Sequence, residues 1–345
     1  MFDPIWTLDE IKQDKPVKVF SIFSCGGGSS MGYKRAGFEV IGNCEIDPKM
    51  NAIYVANNNP KYNYNMDIRD FLKEELPDEL YDIDILDGSP PCTPFSIAGD
   101  REDSWGKEKV FREGQKAQQL DDLFFVFLDA VEELRPKIVI AENVSGMLTG
   151  KAKGYVNLIV KRFREIGYDE VQLFNLNAAF MEVPQKRERA FFIANRMGYP
   201  RLKLNFKYRP MRFGEVRTKE AGMALGEDTK FKKLLDLAKP SDKSFSDINI
   251  RLGNKDKNYN EKIVWDDDIC PTVTDSGRRY RGCDKTYFSI GDIKAVSTFP
   301  QDFNFIKNSD KNVNFVCGMC VPPNMMAHIA TEIWKQWLGG EDDER

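Results

Sequence analysis

Residues 17–37 constrain the fold more than any other stretch. Val17–Phe23 (VKVFSIF) is an apolar run of strand length that reads as a buried parallel strand. It runs into Cys25-Gly26-Gly27-Gly28-Ser29-Ser30, and a helix pattern follows through Gly37. Strand, glycine turn and helix in that order open an α/β unit of the nucleotide-binding kind. The glycines let backbone approach a ligand, and the N-terminus of the helix favours negative charge. Such a turn alone is weak, because it also serves purely structural ends.

The alternation continues. A second strand, Glu39–Asp47, ends in Glu45-Ile46-Asp47. An acid about 20 positions past the glycines typically takes ribose hydroxyls. A nicotinamide site follows the same logic but prefers G-x-G-x-x-G, which no register of CGGGSSMG supplies. Asp67, in NMDIRDF, falls where a third strand should end, within reach of an adenine amino group. It is equally placed to cap a helix over Ile68–Glu75. A β-type run, Tyr81–Asp87, then leads through Gly88 and Ser89 to Pro90-Pro91-Cys92. Both prolines have fixed φ and no N–H, so the thiol projects from a stiff turn. The carboxyl end of a strand in an open α/β sheet is where ligands bind. The bland alternative is a small buried hydrophobe after a turn.

Residues 96–118 are too long for an ordinary connector. With Trp105 and many charges, they read as a lid beside the thiol or as a disordered insertion. An amphipathic helix over Leu120–Leu134 and a strand over Lys137–Ala141 follow, delivering Glu142-Asn143-Val144 to the same edge as Cys92. A helix over Gly154–Gly167 and strands over Glu170–Leu176 and Ala190–Asn195 continue the pattern. Gln185, Arg187 and Arg189 share one face if that segment is extended. Two arginines there suit phosphate or a base edge, or form a surface ion ladder with Glu188.

From about residue 200 to 300 the alternation stops and a smaller, loop-rich unit is expected. Net charge is −4, so no global basic field attracts a polyanion. Residues 201–260, however, hold 15 Lys and Arg against 8 Asp and Glu, the pattern of a polyanion-contacting module or of a lysine-rich solvated surface. Cys270–Tyr280 is hydroxyl-rich and basic, suited to phosphate contact. Phe315–Val321 and a helix from about Pro323 to Trp337 look core-forming again. Seven cysteines, an odd number, suggest reduced intracellular thiols rather than a disulfide framework. No run approaches the ~20 apolar residues of a membrane span, and MFDPIWTLDEIKQDK does not read as a signal peptide. One C-x-x-C, Cys317 to Cys320, is weak zinc evidence without further ligands. The single histidine, His328, makes a His-based triad improbable.

Taken in order, FSCGGGSSMG, the acid of CEIDP, Asp67, SPPCTPFS, AENVSGML, QKRERAFF, CPTVTDSGRRY and GMCVPP resemble the C5-cytosine-specific DNA methyltransferase family. The resemblance covers most of the chain outside 200–265. It implies an α/β, Rossmann-like S-adenosylmethionine-dependent domain with a mostly parallel sheet, plus a smaller loop-rich target-recognition domain. The corresponding boundaries are 1–200 catalytic, 201–300 target-recognising, and 301–345 returning to the catalytic domain. It implies Cys92 as nucleophile, Glu142 against the cytosine N3 and amino group, and Arg189 stabilising the activated ring with Arg187 nearby. S-adenosylmethionine is implied as cofactor. Phe23 would stack on adenine, Glu45 hold the ribose and Asp67 the adenine amino group, with Cys25, Gly26, Gly27, Gly28, Ile46, Ile68, Pro90 and Leu123 also at the cofactor. No metal is implied. The partner is duplex DNA, with room for a companion restriction endonuclease acting on the same site, and a cytoplasmic monomer of prokaryotic, phage or viral origin is expected. An RNA cytosine methyltransferase with the same catalytic set is the runner-up; a binding protein with a dead catalytic domain is the alternative from another class. Cys25 stands where glycine is usual, and Gly318-Met319-Cys320-Val321 stands where Gly-Asn-Ser-Val is usual.

Overall fold

The computed structural model describes residues 1–91, 108–109, 118–119, 123–149, 152–254, 261–307 and 309–339. Cys92, Trp105 and most of the expected lid lie outside the described residues. Glu108–Lys109 pairs antiparallel with Gln118–Gln119.

The chain forms two compact units. The larger draws on Ile11–Asn177, Glu188–Asn205 and the chain from Met326 on. The smaller is built from Met1–Glu10, Ala178–Arg187 and Phe206–Met325. This division differs from contiguous boundaries at 200 and 300. Residues 178–187 group with the smaller unit because Gln185–Lys186 pairs in parallel with Cys270–Pro271. Residues 301–325 group there as well.

The larger unit is a seven-stranded sheet. Its strands are β1 (Lys18–Ile22), β2 (Glu39–Cys44), β3 (Tyr62–Tyr64), β4 (Ile85–Gly88), β5 (Ile138–Val144), β6 (Glu170–Asn177) and β7 (Glu188–Asn195). Their spatial order is β3-β2-β1-β4-β5-β7-β6. All neighbours are parallel except β7, which runs antiparallel to both β5 and β6. Parallel strands need crossovers, usually helical. Here α1 (Gly28–Arg35) links β1 to β2, and α2 (Pro48–Asn58) links β2 to β3. A short α3 (Ile68–Phe71) follows β3, α4 (Leu123–Leu134) precedes β5, and α5 (Lys153–Glu165) links β5 to β6. β5 is buried at every position but its last, as expected for a strand covered on both faces. Phe124 of α4 packs edge-on against Phe192 of β7, centroids 5.1 Å apart.

The run read as a strand over Tyr81–Asp87 divides. Asp78–Asp82 is a 3-10 turn, entered from Pro77 at φ −63°, and only Ile85–Gly88 is strand. Between them Asp84 accepts from the Lys18 amide at 2.8 Å and from Lys137 Nζ at 2.6 Å, tying the starts of β1, β4 and β5 together. The helix expected over Ile68–Glu75 stops at Phe71.

The smaller unit holds the short helices α6 (Phe213–Val216), α7 (Lys230–Asp236), α8 (Phe245–Arg251), α9 (Ile290–Val296) and α10 (Asp310–Met319). A parallel ladder pairs Lys262–Val264 with Arg279–Arg281. Its core gathers Leu225, Leu235, Phe245, Ile248, Ile263 and Tyr280. The fold offsets part of the basic excess. Arg212 pairs with Asp267 at 2.7 Å, Arg217 with Asp266 at 2.9 Å and Lys243 with Asp268 at 2.6 Å. These acids lie just beyond the 201–260 window. Such exposed pairs stabilise little, but they cancel local field. In the Cys270–Tyr280 stretch, Arg279 is buried and donates to the Gly277 and Thr272 carbonyls. The neighbouring Arg281 is buried against Asp292 at 2.7 Å. Of Arg278 and Arg279, only Arg278 is presented outward, over the Tyr287 ring.

Candidate active site

The glycine turn leaves β1 with three left-handed residues in alternation: Phe23 at φ 55°, Cys25 at φ 48° and Gly27 at φ 91°. Only glycine fits the third position, since a Cβ on Gly27 would lie 2.4 Å from Asn58 Nδ2. The other two hold L-residues at a cost of ~1 kcal/mol or more each, a strain that clusters at ligand sites. This conformation accounts for glycine being usual at the position of Cys25. Gly26, Gly27 and Gly28 are buried behind the turn.

The turn is locked to the end of β2 by Glu45. Its Oε2 accepts from the Cys25 amide at 2.8 Å and its Oε1 from the Asp47 amide at 2.8 Å. Burial raises the Glu45 carboxyl to about 7, against the pull of those amides.

Five of the residues expected at the cofactor converge on one cleft: Phe23, Ile46, Asp67, Ile68 and Leu123. Ile22, Cys44 and Met66 complete its lining and were missed in the sequence, where nothing but their place beside Phe23, Glu45 and Asp67 marks them. Asp67 is the N-cap of α3. Its Oδ1 accepts from the Arg69 amide at 2.8 Å, and its Oδ2 lies 3.2 Å from the Arg69 guanidinium. The apolar walls and bordering carboxylate suit an adenine ring with an exocyclic donor, so the donor set fits an adenosyl group.

Glu142 and Arg189 meet. Arg189 pairs with Val144 and Phe191 with Glu142 in the antiparallel β5–β7 ladder, so Glu142 and Arg189 are diagonal neighbours on one face. Arg189 Nε lies 2.8 Å from Glu142 Oε1, and the side chains are 15% and 8% exposed. In such shielding a charge-assisted pair is strong and geometrically fixed. The neighbouring Asn143 donates from Nδ2 to the Pro90 carbonyl at 3.0 Å. It ties the end of β5 to the turn two residues ahead of Cys92. This tether was not assigned from sequence, where Asn143 is only the residue after Glu142. Pro90 itself is buried.

Arg187 does not join that constellation. It is fully buried in the smaller unit and donates to the carbonyls of Val273, Gly318 and Cys320 at 2.8–3.0 Å. The alternation that suggested one shared face for Gln185, Arg187 and Arg189 ends between Arg187 and Glu188, where the chain passes from one unit to the other. Gln185, also buried, accepts from the Val273 amide at 2.9 Å. Met319, at the unusual position of the last motif, is 45% exposed. His328 is buried and its pKa is lowered to about 4 by that burial, so it stays neutral at pH 7. Cys317 and Cys320 are both buried. Among the described residues no group of three or more His, Cys, Asp or Glu side chains is placed to hold a metal, and no helix is long and apolar enough to cross a membrane.

The sequence profile of the C-5 cytosine-specific DNA methylases matches residues 17–335. The chain belongs to that family. This methylase is 28% identical to the type II methyltransferase M.NgoPII of Neisseria gonorrhoeae, over 93% of its own length and 96% of the relative's. It is 27% identical to the type II methyltransferase M.Sau96I of Staphylococcus aureus, over 96% and 79%. Among solved structures its fold is similar to a triple mutant of Spodoptera frugiperda DNMT2, with a TM-score of 0.64, 16% identity and coverage of 92% and 99%. The methylase is thus a DNA cytosine-5-methyltransferase on an α/β fold.

Proposed function

We propose that this methylase methylates C5 of a cytosine turned out of duplex DNA, through a covalent bond between Cys92 and C6, with S-adenosylmethionine as methyl donor. The observation that carries this reading is the shielded Glu142–Arg189 pair, with Asn143 beside it holding the Pro90 carbonyl two residues from the thiol. C5 of cytosine is too poor a nucleophile to take a methyl group directly. Addition of the Cys92 thiolate at C6 converts the ring to an enamine with electron density at C5. Glu142 faces N3 and the amino group and shares a proton with N3, which offsets the negative charge that thiolate addition pushes onto the ring, while Arg189 holds the other side of the Glu142 carboxyl group and stabilises the activated ring. When bound, S-adenosylmethionine supplies an electrophilic sulfonium methyl. Loss of the C5 proton and expulsion of the Cys92 thiolate then restore the aromatic ring.

Phe23, Ile46, Ile68 and Leu123 would enclose the adenine, Asp67 its amino group, and Glu45 the ribose. A base stacked within a duplex is shielded from attack at C6, so the target cytosine leaves the helix at a cost of a few kcal/mol. Residues 96–118 and the loop-rich 201–300 region supply contacts that offset it, the latter reading the flanking bases. A companion endonuclease acting on the same site fits the type II relatives.

The test is incubation with S-adenosylmethionine and a mixed-sequence duplex, with 5-methylcytosine mapped at base resolution. Marks confined to one short sequence context are expected. Cys92→Ala should make none while still binding DNA and S-adenosylmethionine. A variant that keeps full activity would refute the covalent route.

A further inference from the structure

The carboxylate of Asp87 is 1% exposed and has no part in the chemistry above. It is fixed by three neutral hydroxyls. Ser21 sits directly opposite it in the β1–β4 register and donates to Oδ2 at 2.9 Å. Ser29, in the first turn of α1, donates to the same oxygen at 2.8 Å. Tyr33, also on α1, donates to Oδ1 at 3.1 Å. Ser29 and Tyr33 are four residues apart and present one helix face. A buried carboxylate met only by neutral donors is a costly choice where an aliphatic residue would pack. What it gains is direction, since each donor must lie along a lone pair.

That direction matters because of what the partners carry. α1 begins where the glycine turn ends, so Ser29 fixes the first helical turn behind Gly26-Gly27-Gly28. Asp87 itself lies five residues before Cys92 in the sequence. We infer that Asp87 is a positioning residue for methyl transfer: through Ser21, Ser29 and Tyr33 it sets the glycine turn and α1 against the end of the strand that leads to Cys92. Burial also raises the Asp87 carboxyl to about 6, against the pull of the three hydroxyls, consistent with a group held in place at an electrostatic cost.

The inference rests on the proposed function and is tested so that the two fail separately. Ser29→Ala and Tyr33→Phe each remove one hydroxyl without adding volume, so the fold survives. Asp87→Asn keeps the shape and one acceptor, and Asp87→Ala removes both. Affinity for S-adenosylhomocysteine by calorimetry, KM and kcat for methylation, duplex affinity and thermal midpoint are measured for each. Ser29→Ala and Tyr33→Phe should weaken cofactor affinity by about tenfold, the effect of one lost buried hydrogen bond, and lower kcat, with duplex affinity unchanged. Asp87→Asn should recover part of what Asp87→Ala loses. Variants that bind cofactor and turn over like the parent, whether or not their thermal midpoint falls, would overturn the positioning role. A parent protein that binds no S-adenosylhomocysteine would overturn the functional reading instead.

Discussion

Glu45 locks the glycine turn to the end of β2 and, in the proposed function, also holds the cofactor ribose. Its folded pKa is raised from 4.5 to about 7 by burial. A carboxyl raised in this way favours its protonated form in the folded state. Its stabilising contribution is therefore full below pH 4.5 and is lost as pH rises through about 7. Ribose hydroxyls prefer the ionised form, so cofactor binding should release a proton. S-adenosylmethionine affinity is expected to fall as pH drops below about 7, and Glu45→Gln should flatten that dependence. Calorimetry in buffers of differing ionisation enthalpy reads the released proton directly. Glu45 was legible as an acid at a fixed distance past glycines, and Glu142 and Arg189 as members of ordered motifs. The fate of Arg187 was not. An extended Gln-x-Arg-x-Arg reads the same whether its arginines face a ligand or three backbone carbonyls, and only tertiary packing separates the two.

At the scale of elements, β4 and α4 approach closely enough to exclude a methyl group. A Cβ on Gly88 would lie 2.3 Å from Cε2 of Phe127, itself fully buried. Gly88→Ala should therefore cost about 1–3 kcal/mol by overpacking, read as a lowered denaturation midpoint with an unchanged slope. The βα alternation was legible because buried parallel strands are continuous apolar runs and their crossovers carry helical periodicity. The 78–82 turn was not. Ile83 and Ile85 alternate with polar residues as a strand does, whereas Leu80 lies three residues before Ile83, the spacing of a 3-10 turn. Asp67 was open between two functions in sequence; the structure makes it the cap of α3 and also puts it on the cleft wall.

For the whole molecule, sequence order is a poor guide to which residues fold together. The first ten residues, 178–187 and 206–325 make one unit although they are separated in the chain. Arg187 is central to that unit, joining Val273 to Gly318 and Cys320. Arg187→Met should cost about 3 kcal/mol by leaving buried carbonyls without donors, with protease sensitivity appearing first in 206–325. The basic window of 201–260 was legible as composition, and Asp266, Asp267 and Asp268 fold back to offset part of its field.

The central claim is the covalent bond from Cys92 to C6. It is tested most directly with a duplex carrying 5-fluorocytosine at the mapped target, together with S-adenosylmethionine. Fluorine at C5 cannot leave as a proton does, so the adduct should persist after methyl transfer. The account predicts a denaturation-resistant complex of one protein per target, with the adduct on the Cys92 peptide by mass spectrometry and none formed by Cys92→Ser. An active protein that forms no such complex, or carries the adduct on another residue, would contradict it.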